Sequence, residues 1–184
     1  MNTTTSEVLD SIHTISKTKG NVWPITKEQG EYLAKFIKDN NIQSVLELGI
    51  SHAFSTIYMA EALKETGGKL IGIDNNASRN KIAKKNLEKC NIKNVELKGG
   101  SCQQIIPTLD EKFDLVFIDI SKDQYINVFS LILPQLKSTA FVIADNMSTH
   151  PEETAEYRDL VQSFETKTVD IGNGFEVTSI VTNK

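Results

Sequence analysis

From position 44 onward, short apolar runs alternate with longer amphipathic stretches, and this alternation limits the fold more than any other feature of the chain. The runs 44–48, 69–73, 94–98, 114–118 and 140–144 are too short for buried helices and are rich in Val, Ile, Leu and Phe, so they read as strands. The stretches 55–66, 78–90, 102–109, 124–136 and 152–164 carry helical spacing, and Gly67-Gly68 closes the first of them. Such alternation builds right-handed βαβ units, hence a parallel sheet with helices on both faces. The end of the chain breaks the pattern. There 166–171 and 175–181 are strand-like runs joined by Gly172-Asn173-Gly174, whose turn chemistry predicts an antiparallel hairpin. The expected fold class is α/β: a doubly wound, mostly parallel sheet of seven strands with a C-terminal antiparallel hairpin.

Ahead of the sheet, residues up to about Asn21 read as a short helix after a polar start. Thr26 with Gln29 three positions on forms a capping-box pattern, and Tyr32, Leu33, Phe36 and Ile37 give the apolar stripe of the helix it opens. No repeat or Pro/Gly-rich linker divides the chain. A single domain over 1–184 is expected, with 1–43 as a helical segment and 44–184 as the core. No apolar run approaches the ~20 residues of a membrane span. The start has neither the basic residues nor the apolar stretch of a signal peptide, so a cytoplasmic protein is expected. Cys90 and Cys102 have no metal-ligand spacing and are expected to be free thiols. A net charge of −4 argues against a broad nucleic-acid footprint, although Lys81, Lys84, Lys85 and Lys89 share one helix face.

Two of the strand-like runs end in acids: Phe113-Asp114-Leu115-Val116-Phe117-Ile118-Asp119, and Phe141-Val142-Ile143-Ala144-Asp145-Asn146. If these strands lie side by side and parallel, Asp119, Asp145 and Asn146 emerge together at the carboxyl edge of the sheet, where open α/β sheets bind ligands. Two carboxylates and an amide oxygen suit a hard cation such as Mg²⁺. Each acid alone is more often a helix cap, and only the cluster favours a metal.

The first strand leads into Glu47-Leu48-Gly49-Ile50-Ser51-His52-Ala53-Phe54-Ser55-Thr56. Gly49 permits a sharp turn and a close ligand approach, but the glycine pattern of a dinucleotide pyrophosphate cradle is absent. A ligand with an adenosine part and no phosphates suits this loop. Asp74 ends the second strand 25 residues after Gly49, where an acid commonly holds ribose hydroxyls; helix capping is the alternative. His52 and His150 lie in loops near the same edge and are expected to be solvated, with His150 lining the acceptor pocket or reaching the metal as the alternative, while Tyr125 is expected to pack in the core.

Taken together, these residues resemble the class I S-adenosylmethionine-dependent methyltransferases, specifically the metal-dependent O-methyltransferases of the catechol and caffeoyl-CoA type. The similarity runs over 25–181 and is most specific at Phe113–Asp119 with Lys122 and Tyr125, at Ala144-Asp145-Asn146, and at Ile171-Gly-Asn-Gly174-Phe. The resemblance implies a Rossmann-like methyltransferase domain. It implies that Glu47 and Gly49 approach the methionine part of S-adenosylmethionine, with Ser55 near its carboxylate. It places the ribose at Asp74 and the adenine at Ser101 and Cys102. Asp119, Asp145 and Asn146 match the family's divalent metal ligands, Asp119 also bordering the cofactor, and Lys122 matches its proposed general base. The chain departs from the family at Ala53, where Gly is usual, at Ser121, where the caffeoyl-CoA branch has an acid, and at Met147-Ser148-Thr149-His150-Pro151, which replaces a Trp-Gly-Gly-like loop.

The expected activity is therefore methyl transfer from S-adenosylmethionine to a metal-chelated hydroxyl on a small catechol-like or vicinal-diol acceptor. Asp119 and Lys122 are its expected catalytic residues and Mg²⁺ the expected ion. Two alternatives stand beside it: a tRNA hydroxyuridine O-methyltransferase, and a catalytically inactive S-adenosylmethionine-binding protein. A homodimer is among the expected assemblies, since family members are often dimers.

Overall fold

The computed structural model describes residues 3–19 and 23–181. Helices α1 (Thr3–Lys19) and α2 (Lys27–Asp39) precede the sheet; the helix end expected near Asn21 lies outside the described residues. Then come β1 (Ser44–Leu48), α3 (Phe54–Thr66), β2 (Lys69–Asp74), α4 (Ala77–Lys89) and β3 (Val95–Gly99). They are followed by α5 (Cys102–Ile105), β4 (Phe113–Ile118), α6 (Tyr125–Ile132), β5 (Leu136–Ala144), α7 (Ala155–Val161), β6 (Glu165–Val169) and β7 (Phe175–Val181). The strands form one sheet of seven in the order β3-β2-β1-β4-β5-β7-β6. Pairings from β3 through β5 are parallel, and those of β7 with β5 and β6 are antiparallel, as expected from the hairpin chemistry.

Alternation along each strand divides the core between two faces. Val45, Leu115 and Phe117 meet Leu33 and Ile37 of α2 and Ile57 of α3. Leu46, Leu48, Val116 and Ile118 point the other way, onto Tyr125, Val128 and Phe129 of α6 and Tyr157 of α7. Helix α2 starts where the capping box predicts: Thr26 Oγ1 accepts the Gln29 backbone N–H at 3.2 Å, and Gln29 Oε1 accepts that of Thr26 at 3.0 Å. Gly67 ends α3 in the left-handed conformation, its N–H bonded to the Leu63 carbonyl.

Several boundaries differ from the sequence expectation for local reasons. The helix expected over 124–136 stops at Ile132, because Pro134 cannot donate a helical hydrogen bond and Leu133–Gln135 tightens into a 3-10 turn. Strand β5 accordingly begins at Leu136, with an irregularity in its pairing to β4. Pro107 likewise shortens the helix that starts at Cys102. The last helix starts at Ala155 rather than 152, since a turn closed by the Thr154 N–H on the His150 carbonyl precedes it. Strand β6 stops at Val169, because Ile171 and Gly174 close the hairpin turn between them.

The chain runs outward from β1 to β2 and β3, then returns to the other side of β1 for β4. That reversal opens a crevice at the carboxyl ends of β1 and β4. Leu48 pairs with Ile118 and Ile118 with Ala144, so Gly49, Asp119 and Asp145 leave three adjacent strands at one level. Among the described residues, no helix is long and apolar enough to cross a membrane.

Candidate active site

A cavity of about 840 Å³ opens at this crevice. Gly49, Asp74, Ser101, Cys102, Asp119, Lys122 and Asn146 all line it. Ser55 lines a small adjoining cleft, and Glu47 and Asp145 lie buried behind the wall.

Asn146 joins the two acids. Its Nδ2 donates to Asp119 Oδ1 at 3.1 Å and to Asp145 Oδ2 at 2.7 Å. The residue has φ +73°, a left-handed conformation that Asn tolerates better than most side chains. Removal from water raises the pKa of both carboxyls, and for Asp119 the nearby Asp145 adds to the rise while Lys122 opposes it. No ion pair reaches either carboxylate among the described residues. Two acids pressed together without a paired cation, beside an amide that can turn its oxygen inward, fit a hard divalent ion. Among the described residues no group of three His, Cys, Asp or Glu converges, so the metal reading rests on this two-carboxylate, one-amide set.

Lys122 Nζ donates to the Ile120 carbonyl at 3.2 Å and lies 5.8 Å from the centroid of the Tyr125 ring. Tyr125 is fully buried, as expected, and its hydroxyl donates to the Asp145 carbonyl at 3.2 Å, tying α6 to the end of β5.

On the other side of the crevice, Glu47 is fully buried and accepts a short hydrogen bond from the Ser55 hydroxyl. Among the described residues no well-formed hydrogen bond reaches its second oxygen, Oε2, although the Thr56 hydroxyl also favours the carboxylate. Burial drives its pKa up to about 8 against the effects of the Ser55 and Thr56 hydroxyls. Gly49 has φ +94°, and a Cβ there would lie 2.0 Å from the Asp119 carbonyl oxygen. Its bareness therefore serves first to let β1 and β4 converge.

Asp74 accepts the Ser51 N–H on Oδ2 at 2.9 Å and the Asn76 N–H on Oδ1 at 2.8 Å, so it locks the first loop onto the second. The cap of α4 is Asn76, not Asp74: the Asn76 side chain accepts from Ser78 and Arg79. Cys102 is buried, which pushes its thiol up to about 11, and both cysteines are free.

The expectation for His52 fails. It is 7% exposed, covered as the loop turns back under α4, where Asn86 Nδ2 donates to its carbonyl at 3.0 Å. His150 is half-buried and lines the cavity with Thr149. Sequence reasoning missed Gln29, whose Nε2 donates to Asp145 Oδ1 at 2.6 Å across a separation of 116 residues. The capping box announced the helix start but carried no signal of this second contact. It also missed Trp23, which lines the cavity yet is 73% exposed.

The fold and this site meet in the comparisons with known proteins. The model of the O-methyltransferase family matches residues 2–166, and the chain belongs to that family. It is similar to a catechol O-methyltransferase from Niastella koreensis, 30% identical over 128 residues that cover 67% of this chain and 58% of that protein. It is also similar to caffeoyl-CoA O-methyltransferase 2 from Petunia hybrida, 25% identical over 133 residues covering 68% of this chain and 54% of that one. The chain thus spans little more than half the length of these relatives. Among solved structures, an O-methyltransferase from Bacillus cereus in complex with SAH superposes with a TM-score of 0.85 at 21% identity, covering 98% of this chain and 91% of that one. The O-methyltransferase TomG from Streptomyces achromogenes, solved with SAM, superposes with a TM-score of 0.83 at 23% identity, covering 96% and 90%.

Proposed function

We propose that this chain is an S-adenosylmethionine-dependent O-methyltransferase acting on a hydroxyl of a small catechol-like or vicinal-diol acceptor, chelated by a divalent cation such as Mg²⁺. One observation carries the reading: Asp119 and Asn146, with Asp145 directly behind, share a single cavity with Gly49, Asp74, Ser101 and Cys102. Family membership and the cofactor-bound neighbours support it.

S-adenosylmethionine, when bound, supplies a methyl group on a sulfonium, which an oxygen nucleophile displaces in line. The residues present fit it. Glu47 Oε2 is a buried acceptor that no well-formed hydrogen bond reaches among the described residues, and the ammonium of the amino-acid end would satisfy it, with Ser55 and Thr56 alongside. Each Asp74 oxygen keeps a lone pair after its backbone bond and could accept from a ribose hydroxyl. Ser101 and Cys102 would flank the adenine, the buried thiol staying neutral.

A divalent cation held by Asp119, Asp145 and the Asn146 amide oxygen would lower the pKa of a chelated hydroxyl. Two adjacent acceptor oxygens would fix orientation, and positioning supplies much of the catalysis in such a displacement. Lys122, once its own proton has passed to solvent, would receive the acceptor hydroxyl's proton on the neutral Nζ amine. A tRNA acceptor is the second reading, favoured by the exposed Lys81, Lys84, Lys85 and Lys89 on α4 and opposed by the net charge of −4.

The test is transfer of a labelled methyl group from S-adenosylmethionine to catechol or to caffeoyl-CoA with Mg²⁺ present. Label should reach at least one of them and stop on addition of EDTA. Transfer indifferent to EDTA would contradict the metal role, and salt-sensitive labelling of tRNA alone would favour the second reading.

A further inference from the structure

Asp145 is 1% exposed, and its carboxylate is gripped by amides from three separate parts of the chain. Gln29 Nε2 donates to Oδ1 at 2.6 Å; Asn146 Nδ2 and Asn173 Nδ2 donate to Oδ2 at 2.7 and 3.4 Å. Gln29 is itself fully buried, and its other amide atom is committed, because Oε1 accepts the Thr26 N–H at 3.0 Å. A backbone N–H can only donate, so the amide has one workable orientation, with Nε2 toward Asp145. The hairpin turn closes over this contact: a Cβ on Gly172 would fall 2.6 Å from both Gln29 Oε1 and Thr26 Oγ1. A glutamine serving only as a cap needs neither burial nor a second partner.

We propose that Gln29 is a positioning residue for Asp145, fixing the carboxylate so that Oδ2 faces Asn146 and Asp119. It also fastens the cavity wall formed by Trp23, Pro24, Ile25 and Thr26 to the acid pair. The proposal rests on the metal reading of the site given above. Without the Gln29 donor, Oδ1 loses the short side-chain hydrogen bond that anchors it, and the carboxylate is held less firmly in orientation. Partners of this kind set the orientation of metal-binding groups. Gln29 lines neither the large cavity nor the small cleft, so its effect on metal and on cofactor can be separated.

The experiment uses Gln29→Met and Gln29→Leu, which put an apolar side chain of similar size in place of the amide and so remove the donor to Asp145 along with the Oε1 acceptor of the cap. Mn²⁺ binding is followed by electron paramagnetic resonance without acceptor, and S-adenosylhomocysteine binding by calorimetry. Both variants should bind Mn²⁺ about tenfold or more weakly while holding S-adenosylhomocysteine as the wild type does. Thr26→Ala, which weakens the same cap but leaves the Gln29–Asp145 bond, should retain Mn²⁺ affinity. Wild-type Mn²⁺ affinity in either Gln29 variant overturns the proposal, as does parallel loss of both ligands, or an equal loss in Thr26→Ala. A wild-type protein that binds no Mn²⁺ overturns the metal reading, and this proposal with it.

Discussion

Glu47 shows how one buried carboxyl can link stability to pH. Below its ordinary value of 4.5 it is protonated in both folded and unfolded chains. Between 4.5 and about 8 the folded protein keeps a proton that the unfolded chain loses. Its contribution to stability is therefore full at low pH and falls as pH rises, by up to about 1.4 kcal/mol per unit. Denaturant titrations of the free protein at pH 6 and pH 8 should show this decline, and Glu47→Gln should flatten it; equal slopes in the two proteins would contradict the assignment. Ala53 is a second site of local cost. It holds φ +68° and ψ +30°, which a Cβ disfavours, at the start of α3. Ala53→Gly should stabilise the fold by about 1 kcal/mol in urea denaturation, the relief exceeding the loss of one buried methyl.

At the scale of elements, α2 does more than pack. Its cap, its buried Leu33 and Ile37, and its reach through Gln29 to Asp145 make it part of the site's frame. Thr26→Ala should cost about 1 kcal/mol through loss of the cap, and Leu33→Ala about 2–5 kcal/mol through the cavity left behind, both read as midpoint shifts in urea. The strands were legible because Val, Ile, Leu and Phe cluster in runs, and the cap of α2 because Thr26 and Gln29 sit three apart. The burial of His52 was not legible, because it depends on α4 folding over the first loop. Nor was the contact between Gln29 and Asp145, since a side chain's tertiary partner leaves no mark in local spacing. Gly49 has the sharp turn that its sequence context predicts, but its bare α-carbon answers to the Asp119 backbone.

Across the whole molecule, the strand order decides where chemistry can gather. Turning back after β3 puts β4 against β1, so the loop at Gly49, the acid at Asp74 and Asp119 face one crevice, with Asp145 directly behind its wall. A ligand bound there joins elements from both halves of the sheet and stabilises the fold by mass action. S-adenosylhomocysteine at about one hundred times its Kd should add roughly 2.7 kcal/mol, or about 5–10 °C in Tm. An unchanged Tm under saturating ligand would remove the cofactor from this crevice. The proposed arrangement sets a sulfonium donor and a metal-chelated acceptor in one cavity. Its most direct measurement is anomalous diffraction from crystals grown with Mn²⁺ and S-adenosylmethionine. A Mn²⁺ peak bounded by Asp119, Asp145 and Asn146 is expected, with the cofactor ribose at Asp74 and its methyl group turned toward the ion. Cofactor bound as predicted with no Mn²⁺ peak between those acids, or a peak elsewhere, would contradict it.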